Sequence, residues 1–164
     1  MFWHLTSLKE LYFTSNQIQE LSQKVFWNLS SLTVLQLSKN QIKILPQQLF
    51  WTLSSLTNLY FYNNQIMELP EQVFWNLSSL TELDISYNQL KELPENLFNN
   101  LTKLQILRLN NNMIELFPSN LFSNKPELKH IGIMNNKITT INFDFSSHPN
   151  LQLYNFSFST FNRL

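Results

Sequence analysis

Asparagine returns every 24 residues along this chain, at Asn16, Asn40, Asn64, Asn88, Asn112 and Asn136. A fixed period of roughly 20 to 50 residues is the mark of a solenoid, in which no single coil can bury its own apolar face and each winding shelters the next. Aligned on Leu8, Leu32, Leu56, Leu80, Leu104 and Leu128, the unit reads L-x-x-L-x-L-x-x-N-x-I-x-x-L-P-x-x-x-F-x-x-L-x-x. Positions one, four and six hold only Leu, Ile or Phe in all 18 slots. With 43% hydrophobic residues, chance would fill them so roughly once in a few million tries. A partial copy covers 1–7, where Met1-Phe2-Trp3-His4-Leu5-Thr6-Ser7 matches Val25-Phe26-Trp27-Asn28-Leu29-Ser30-Ser31. A degenerate copy covers 151–164, with Tyr154 and Phe156 in apolar slots and Ser159 in place of the asparagine. The whole chain, 1–164, reads as one domain.

Within each unit, positions three to seven alternate apolar and polar, as in Val34-Leu35-Gln36-Leu37-Ser38, which is the pattern of a half-buried strand. Strands of successive units can pair only in parallel, and the rest of the unit is about long enough for the crossover that parallel pairing needs. Pro46, Pro70, Pro94 and Pro118 oppose a long helix in that return arm, leaving turns and short helical turns. Seven strands at about 4.8 Å make a slab roughly 30 Å long. The chain has one glycine, Gly132, so another residue must turn it, and the asparagine column is the candidate.

Stacked coils superimpose their rungs. Phe2, Phe26, Phe50, Phe74, Phe98, Phe122 and Phe145 form the far wall of the core, each buried ring contributing about 1.5–3 kcal/mol. The asparagines answer a different need. Buried backbone groups at the corner lose their sheet partners, and an Asn amide has donors and an acceptor on a short stem, enough to bond neighbouring coils at once.

Composition narrows the function. Eleven basic residues balance eleven acidic ones, so no broad basic footprint points to nucleic acid or an anionic membrane, and neither is expected as a partner. Without cysteine there is no disulfide framework or thiolate chemistry. Apolar runs fall far short of the ~20 residues of a membrane-spanning helix, and no leader follows Met1. His4, His130 and His148 occupy different sides of the repeat, and Glu82 and Asp84 would lie on an open sheet that does not exclude water. No catalytic residues, metal site or cofactor are expected, and the chain reads as a non-enzyme.

These rungs, with Leu-Pro at 45–46, 69–70 and 93–94 and Leu-Phe at 49–50, 97–98 and 121–122, resemble the 24-residue typical leucine-rich repeat. Toll-like receptors, slit-type guidance proteins, small proteoglycans and variable lymphocyte receptors share it. The resemblance implies an α/β repeat fold, a solenoid or horseshoe with a parallel sheet on the concave face and turns or short helical turns on the convex face. It further implies that the concave face binds another protein in an extracellular setting, secreted or as an ectodomain. Members close both ends with cysteine-rich caps, which are absent here. The chain therefore reads as a piece of a longer ectodomain with bare ends open to self-association. The alternatives are a small protein that closes itself through Phe158, Phe161 and Leu164, a segment of a membrane-anchored signalling receptor, and a cytoplasmic scaffold if Met1 is the true start.

Three surfaces stand out. On the concave side, Tyr60, Tyr62, Tyr87, Glu82, Asp84 and Arg108 cluster across three neighbouring strands, and Tyr and Arg carry much of the energy at interfaces. The plainer reading is cross-strand packing with an Asp84–Arg108 pair worth at most about 1 kcal/mol. Trp3, Trp27, Trp51 and Trp75 share position twenty. They form a ladder on the convex or lateral side, either lying flat over the core, the favoured reading, or presenting an exposed aromatic patch. Sequons occur at Asn28, Asn76, Asn100 and Asn155, the first three at position twenty-one on the return side.

Overall fold

The computed structural model describes residues 2, 4–140, 148 and 151–153; Trp3, Phe145, Asn155 and residues 154–164 lie outside the described residues. Seven strands run in chain order: β1 (Glu10–Tyr12), β2 (Val34–Gln36), β3 (Asn58–Tyr60), β4 (Glu82–Asp84), β5 (Ile106–Arg108), β6 (His130–Gly132) and β7 (Gln152–Leu153). They form one parallel sheet in the order of the sequence. Leu11, Leu35, Leu59, Leu83 and Leu107 stand rung above rung in it. The repeat thus maps directly onto a solenoid. Among the described residues the return arms contain turns and no helix. The turn opened by each proline closes on the residue three places later, as in Leu49 N–H to Pro46 O (3.0 Å) and Val73 N–H to Pro70 O (3.0 Å).

Each of β1 to β6 spans positions three to five, two residues shorter than the alternation predicts. Coil-to-coil bonding continues beyond it, with Leu37 N–H donating to Tyr60 O (2.7 Å) and Lys39 N–H to Tyr62 O (2.9 Å). The extended geometry cannot continue, because position eight is left-handed in every full coil: Ser15 (φ 60°), Lys39 (55°), Asn63 (55°), Tyr87 (55°), Asn111 (55°) and Asn135 (53°). The residue that turns the chain is therefore one place before the asparagine column. Asn holds three of these six slots, as expected of a side chain that tolerates this region.

The asparagine column secures the corner instead of making it. Asn88 donates to Phe61 O (3.1 Å) of the preceding coil and to Ile85 O (3.1 Å) and Ser86 O (3.2 Å) of its own; its Oδ1 accepts from Ile66 N–H (3.0 Å). Asn40, Asn64, Asn112 and Asn136 repeat the arrangement, each 7% exposed. Asn16 is exposed and bonds only within its own coil. A second, backbone ladder runs behind the asparagines, from Gln41 N–H to Ile18 O (2.9 Å) and on through Gln65 and Gln89. A third, of threonine hydroxyls at position two, links Thr33 to Lys9 O (2.9 Å), Thr57 to Thr33 O (3.0 Å) and Thr81 to Thr57 O (3.0 Å).

Phe26, Phe50, Phe74, Phe98 and Phe122 are buried, and the first four stack with centroids 6.3, 6.2 and 6.1 Å apart. Phe61 fills the space between Phe50 and Phe74, 6.5 and 6.1 Å away. In the first coil Phe2, Leu8, Leu11, Phe13 and Ile18 are only half-buried, since β1 is the edge of the sheet. One rung breaks the pattern. Position twenty-two holds Leu29, Leu53, Leu77 and Leu101, all fully buried, and then Lys125, which is 2% exposed.

Candidate partner-binding face

Position parity fixes which side chains reach the outer face of the sheet. Position four (Leu59, Leu83, Leu107) turns inward and is buried, so three and five turn outward. Asn58, Tyr60, Glu82, Asp84 and Arg108 therefore share one face across β3, β4 and β5, and the structure brings most of them into one network. Glu82 is its hub. Its Oε2 accepts from the Tyr60 hydroxyl (2.9 Å) and the Asn58 amide (3.2 Å), and its Oε1 pairs with the Arg108 guanidinium. Asn58 also donates to the Tyr60 oxygen (2.9 Å).

The ion pair differs from the expected one. Arg108 lies opposite Asp84 in register, yet it reaches diagonally to Glu82, while Asp84 turns along its own strand to accept from Ser86 N–H (2.9 Å) and the Ser86 hydroxyl. A local backbone donor competes well for a short carboxylate, which leaves the longer glutamate to the arginine. Burial, the largest influence, raises the Tyr60 hydroxyl above its ordinary value; Asn58 opposes this and Glu82 reinforces it. Tyr60 thus stays protonated and remains the donor to Glu82. Both carboxylates are satisfied by donors of the chain itself on an open face, an arrangement that holds side chains in place and does not leave a base poised for proton transfer.

Tyr62 is half-buried beside this network in sequence, and Tyr87 keeps 57% of its surface exposed at the rim. Tyr87 is also the left-handed residue of its coil. A bulky side chain there is strained where Asn is tolerated. We expect Tyr87→Asn to raise stability by about 0.5–1 kcal/mol, or about 1–4 °C in melting temperature. A thermal melt followed by circular dichroism checks this, and a fall in melting temperature would show that the ring supports the fold.

Next to the cluster, Gly132 on β6 opens a hollow of about 460 Å³ edged by Arg108, Asn110 and His130. A Cβ at 132 would stand 2.6 Å from the Asn110 amide nitrogen, so the lone glycine admits Asn110, whose Oδ1 accepts from Met134 N–H (2.8 Å). The sequence reading did not single out this pair. On the lateral side, Trp51 and Trp75 are 42% and 43% exposed and line one trough, so these two rings do not lie covered over the core as the favoured reading has it. Trp27 is half-buried under the Lys24 ammonium, 4.6 Å from its ring centroid. Asn28 is exposed with φ 70°, whereas Asn76 and Asn100 donate to Trp51 O (2.8 Å) and Trp75 O (2.9 Å) of the preceding coil. His148 makes a similar link, its Nε2 lying 2.9 Å from Phe122 O. Among the described residues no group of three or more His, Asp or Glu is placed to hold a metal ion.

The leucine rich repeat family model matches residues 6–66, 30–90, 55–114 and 78–138, which together span most of the chain. The chain belongs to the leucine-rich repeat family. Solved structures agree. The TLR13–ssRNA13 complex matches this leucine-rich repeat chain with TM-score 0.85 and 31% identity over 93% of it and 22% of the TLR13 chain. The APL1 leucine-rich repeat domain gives 0.84 and 28% over 90% of this chain and 39% of its own. The Toll–Spatzle complex of Drosophila gives 0.74 and 31% over 80% and 18%. This chain thus spans well under half the length of these relatives. No curated protein sequence matches it. The TLR13 neighbour is in complex with an ssRNA, so the expectation that nucleic acid is no partner finds no support in these comparisons.

Proposed function

We propose that this leucine-rich repeat chain is a non-catalytic recognition module that binds a protein through its concave sheet, as the ligand-reading part of an extracellular protein or receptor ectodomain. The observation that carries the proposal is the Tyr60–Glu82–Arg108 network ordered on the open face of the sheet, with Tyr87, a bulky ring retained at the left-handed corner of the same coil as Glu82, 57% exposed. Strain retained at an exposed position is a feature of functional surfaces. The charge of the face supports protein over nucleic acid. Positions three, five, seven and eight of the six full repeats carry Glu10, Glu82 and Asp84 against Lys39 and Arg108, whereas a phosphate backbone calls for a basic surface. The Toll relative is in complex with Spatzle, a precedent for protein binding in the family.

The test is site-directed photo-crosslinking in extract or fluid from the source organism. A crosslinker replacing Tyr62 is expected to capture a protein, and one replacing Lys43 on the return side is not. Capture from Lys43 alone would move the interface off the sheet, and a product destroyed by ribonuclease would make the partner RNA. With the partner in hand, Tyr62→Ala plus Tyr87→Ala is expected to weaken binding by about tenfold or more, the scale of truncated aromatic anchors.

A further inference from the structure

The lateral trough between neighbouring coils is unexplained by partner binding through the sheet. It encloses about 660 Å³, and its walls include Trp51, Trp75, Asn76, Ser78, Asn100 and Thr102. Two exposed indoles beside the exposed hydroxyls of Ser78 and Thr102 and the half-buried amides of Asn76 and Asn100 make a surface that is apolar in its platforms and polar at its rim. Asn76 with Ser78, and Asn100 with Thr102, are the acceptor and hydroxyl residues of two N-x-S/T sequons. Both complete sequons therefore open into the same trough as the indoles.

We propose that the occupant of this trough is the chain's own N-linked glycan, carried on Asn76 and Asn100 and seated against Trp51 and Trp75. The tether points are already in place. Asn76 Nδ2 lies 2.8 Å from Trp51 O and Asn100 Nδ2 lies 2.9 Å from Trp75 O, so each acceptor nitrogen is held one hydrogen bond from the indole-bearing residue of the coil before it. Trp75 also directly precedes Asn76 in sequence. A first sugar on Asn76 starts between the two rings, and its C–H face can cover them while its hydroxyls meet Ser78 and water. In the transfer, the Asn Nδ2–C1 bond forms as the C1–O bond of a lipid-pyrophosphate-linked oligosaccharide donor breaks. The pyrophosphate leaves, and Nδ2 gives up one proton to the transferase's base. One N–H remains on each Nδ2, enough to keep the bond to the tryptophan carbonyl. The coil of Trp51 carries Thr52 in the acceptor slot, so no sugar starts from the Trp51 end of the trough.

The inference rests on the extracellular reading, but its test does not, because a secretion leader can be supplied. The protein carrying Trp3→Phe and Trp27→Phe, secreted from a glycosylating eukaryotic host, leaves Trp51 and Trp75 as the fluorescent reporters. Peptide mass spectrometry is expected to find sugar on Asn76 and Asn100, and acrylamide quenching is expected to rise about twofold when a glycoamidase removes the whole glycan, first sugar included, as covered ring surface is returned to water. Ser78→Ala plus Thr102→Ala removes both sequons without touching either Asn bond and should give the stripped level of quenching. Unmodified Asn76 and Asn100 after secretion would overturn the site. Occupied sites with quenching unchanged on stripping would overturn the seating. Protection of the sequon-less variant by free N-acetylglucosamine oligomers would replace the tethered sugar with an external one. A native protein found inside cells would instead overturn the extracellular reading and leave these results standing.

Discussion

Asn88→Ala is expected to lower the melting temperature by about 6–12 °C, equivalent to about 3 kcal/mol. The amide is 7% exposed and holds three carbonyls and one N–H, drawn from two coils. Alanine removes every one of these bonds: the Phe61 and Ile85 carbonyls keep a second donor, Asn64 (3.1 Å) and Asn112 (3.1 Å), but Ile66 N–H is left buried without its acceptor, and the cost of an orphaned buried group exceeds the worth of an ordinary bond. Asn64→Ala should behave alike, whereas Asn16→Ala, at an exposed site without a preceding coil in the described structure, should move melting far less. Scanning calorimetry on the three variants checks the ranking. Equal, small shifts in all of them would show that water or neighbouring groups replace the ladder.

Lys125→Leu is expected to act in the opposite direction, raising the melting temperature by about 5–10 °C at neutral pH. Lys125 occupies the slot of Leu29, Leu53, Leu77 and Leu101, and its ammonium has one acceptor, Ser123 O at 2.9 Å. Burial lowers its pKa from 10.5 to about 8. That gap corresponds to about 3 kcal/mol of penalty on the charged form. Between pH 8 and 10.5 the unfolded chain binds the proton and the folded chain has released it, so this lysine's contribution to stability rises with pH across that window. The advantage of Lys125→Leu should therefore be largest at pH 7 and shrink by pH 10. Melts of both proteins at the two values test this, and a difference independent of pH would mean the ammonium is solvated in the fold. Ser123 is exposed, so its carbonyl can turn to water once the amine is gone.

The fold was legible because its rungs are chemically identical. Six leucines at position one and six asparagines at position nine leave one way of stacking, and the sheet order β1 to β7 follows from connectivity alone. What escaped the sequence were events that depend on competition between neighbours. The alternation at Val34–Ser38 continues past the point where the strand stops, since hydropathy does not register that Lys39 turns left-handed. Arg108 chose Glu82 over Asp84 because Ser86 had already engaged the aspartate, a contest invisible in a list of charges. That Tyr60, Glu82, Asp84 and Arg108 share one face of the sheet was readable from repeat arithmetic. The hollow beside Gly132 was not, because it results from a missing side chain and a neighbouring amide that lies where a Cβ would stand. Lys125 was visible as a break in the leucine column once the copies are aligned, a signal that lies in the departure from the pattern.

Besides its bonds within its own winding, each buried asparagine of the ladder also reaches backward. Asn40, Asn64, Asn88, Asn112 and Asn136 each clasp the winding that precedes them, so every corner is fastened by the one that follows. Load applied to the two ends would be shared at each junction by this clasp and by the sheet, backbone and threonine bonds between the same two windings, and the junctions stand in series. A molecule fastened this way yields in discrete steps under tension, one junction at a time, and the windings still closed keep their grip on whatever lies across them.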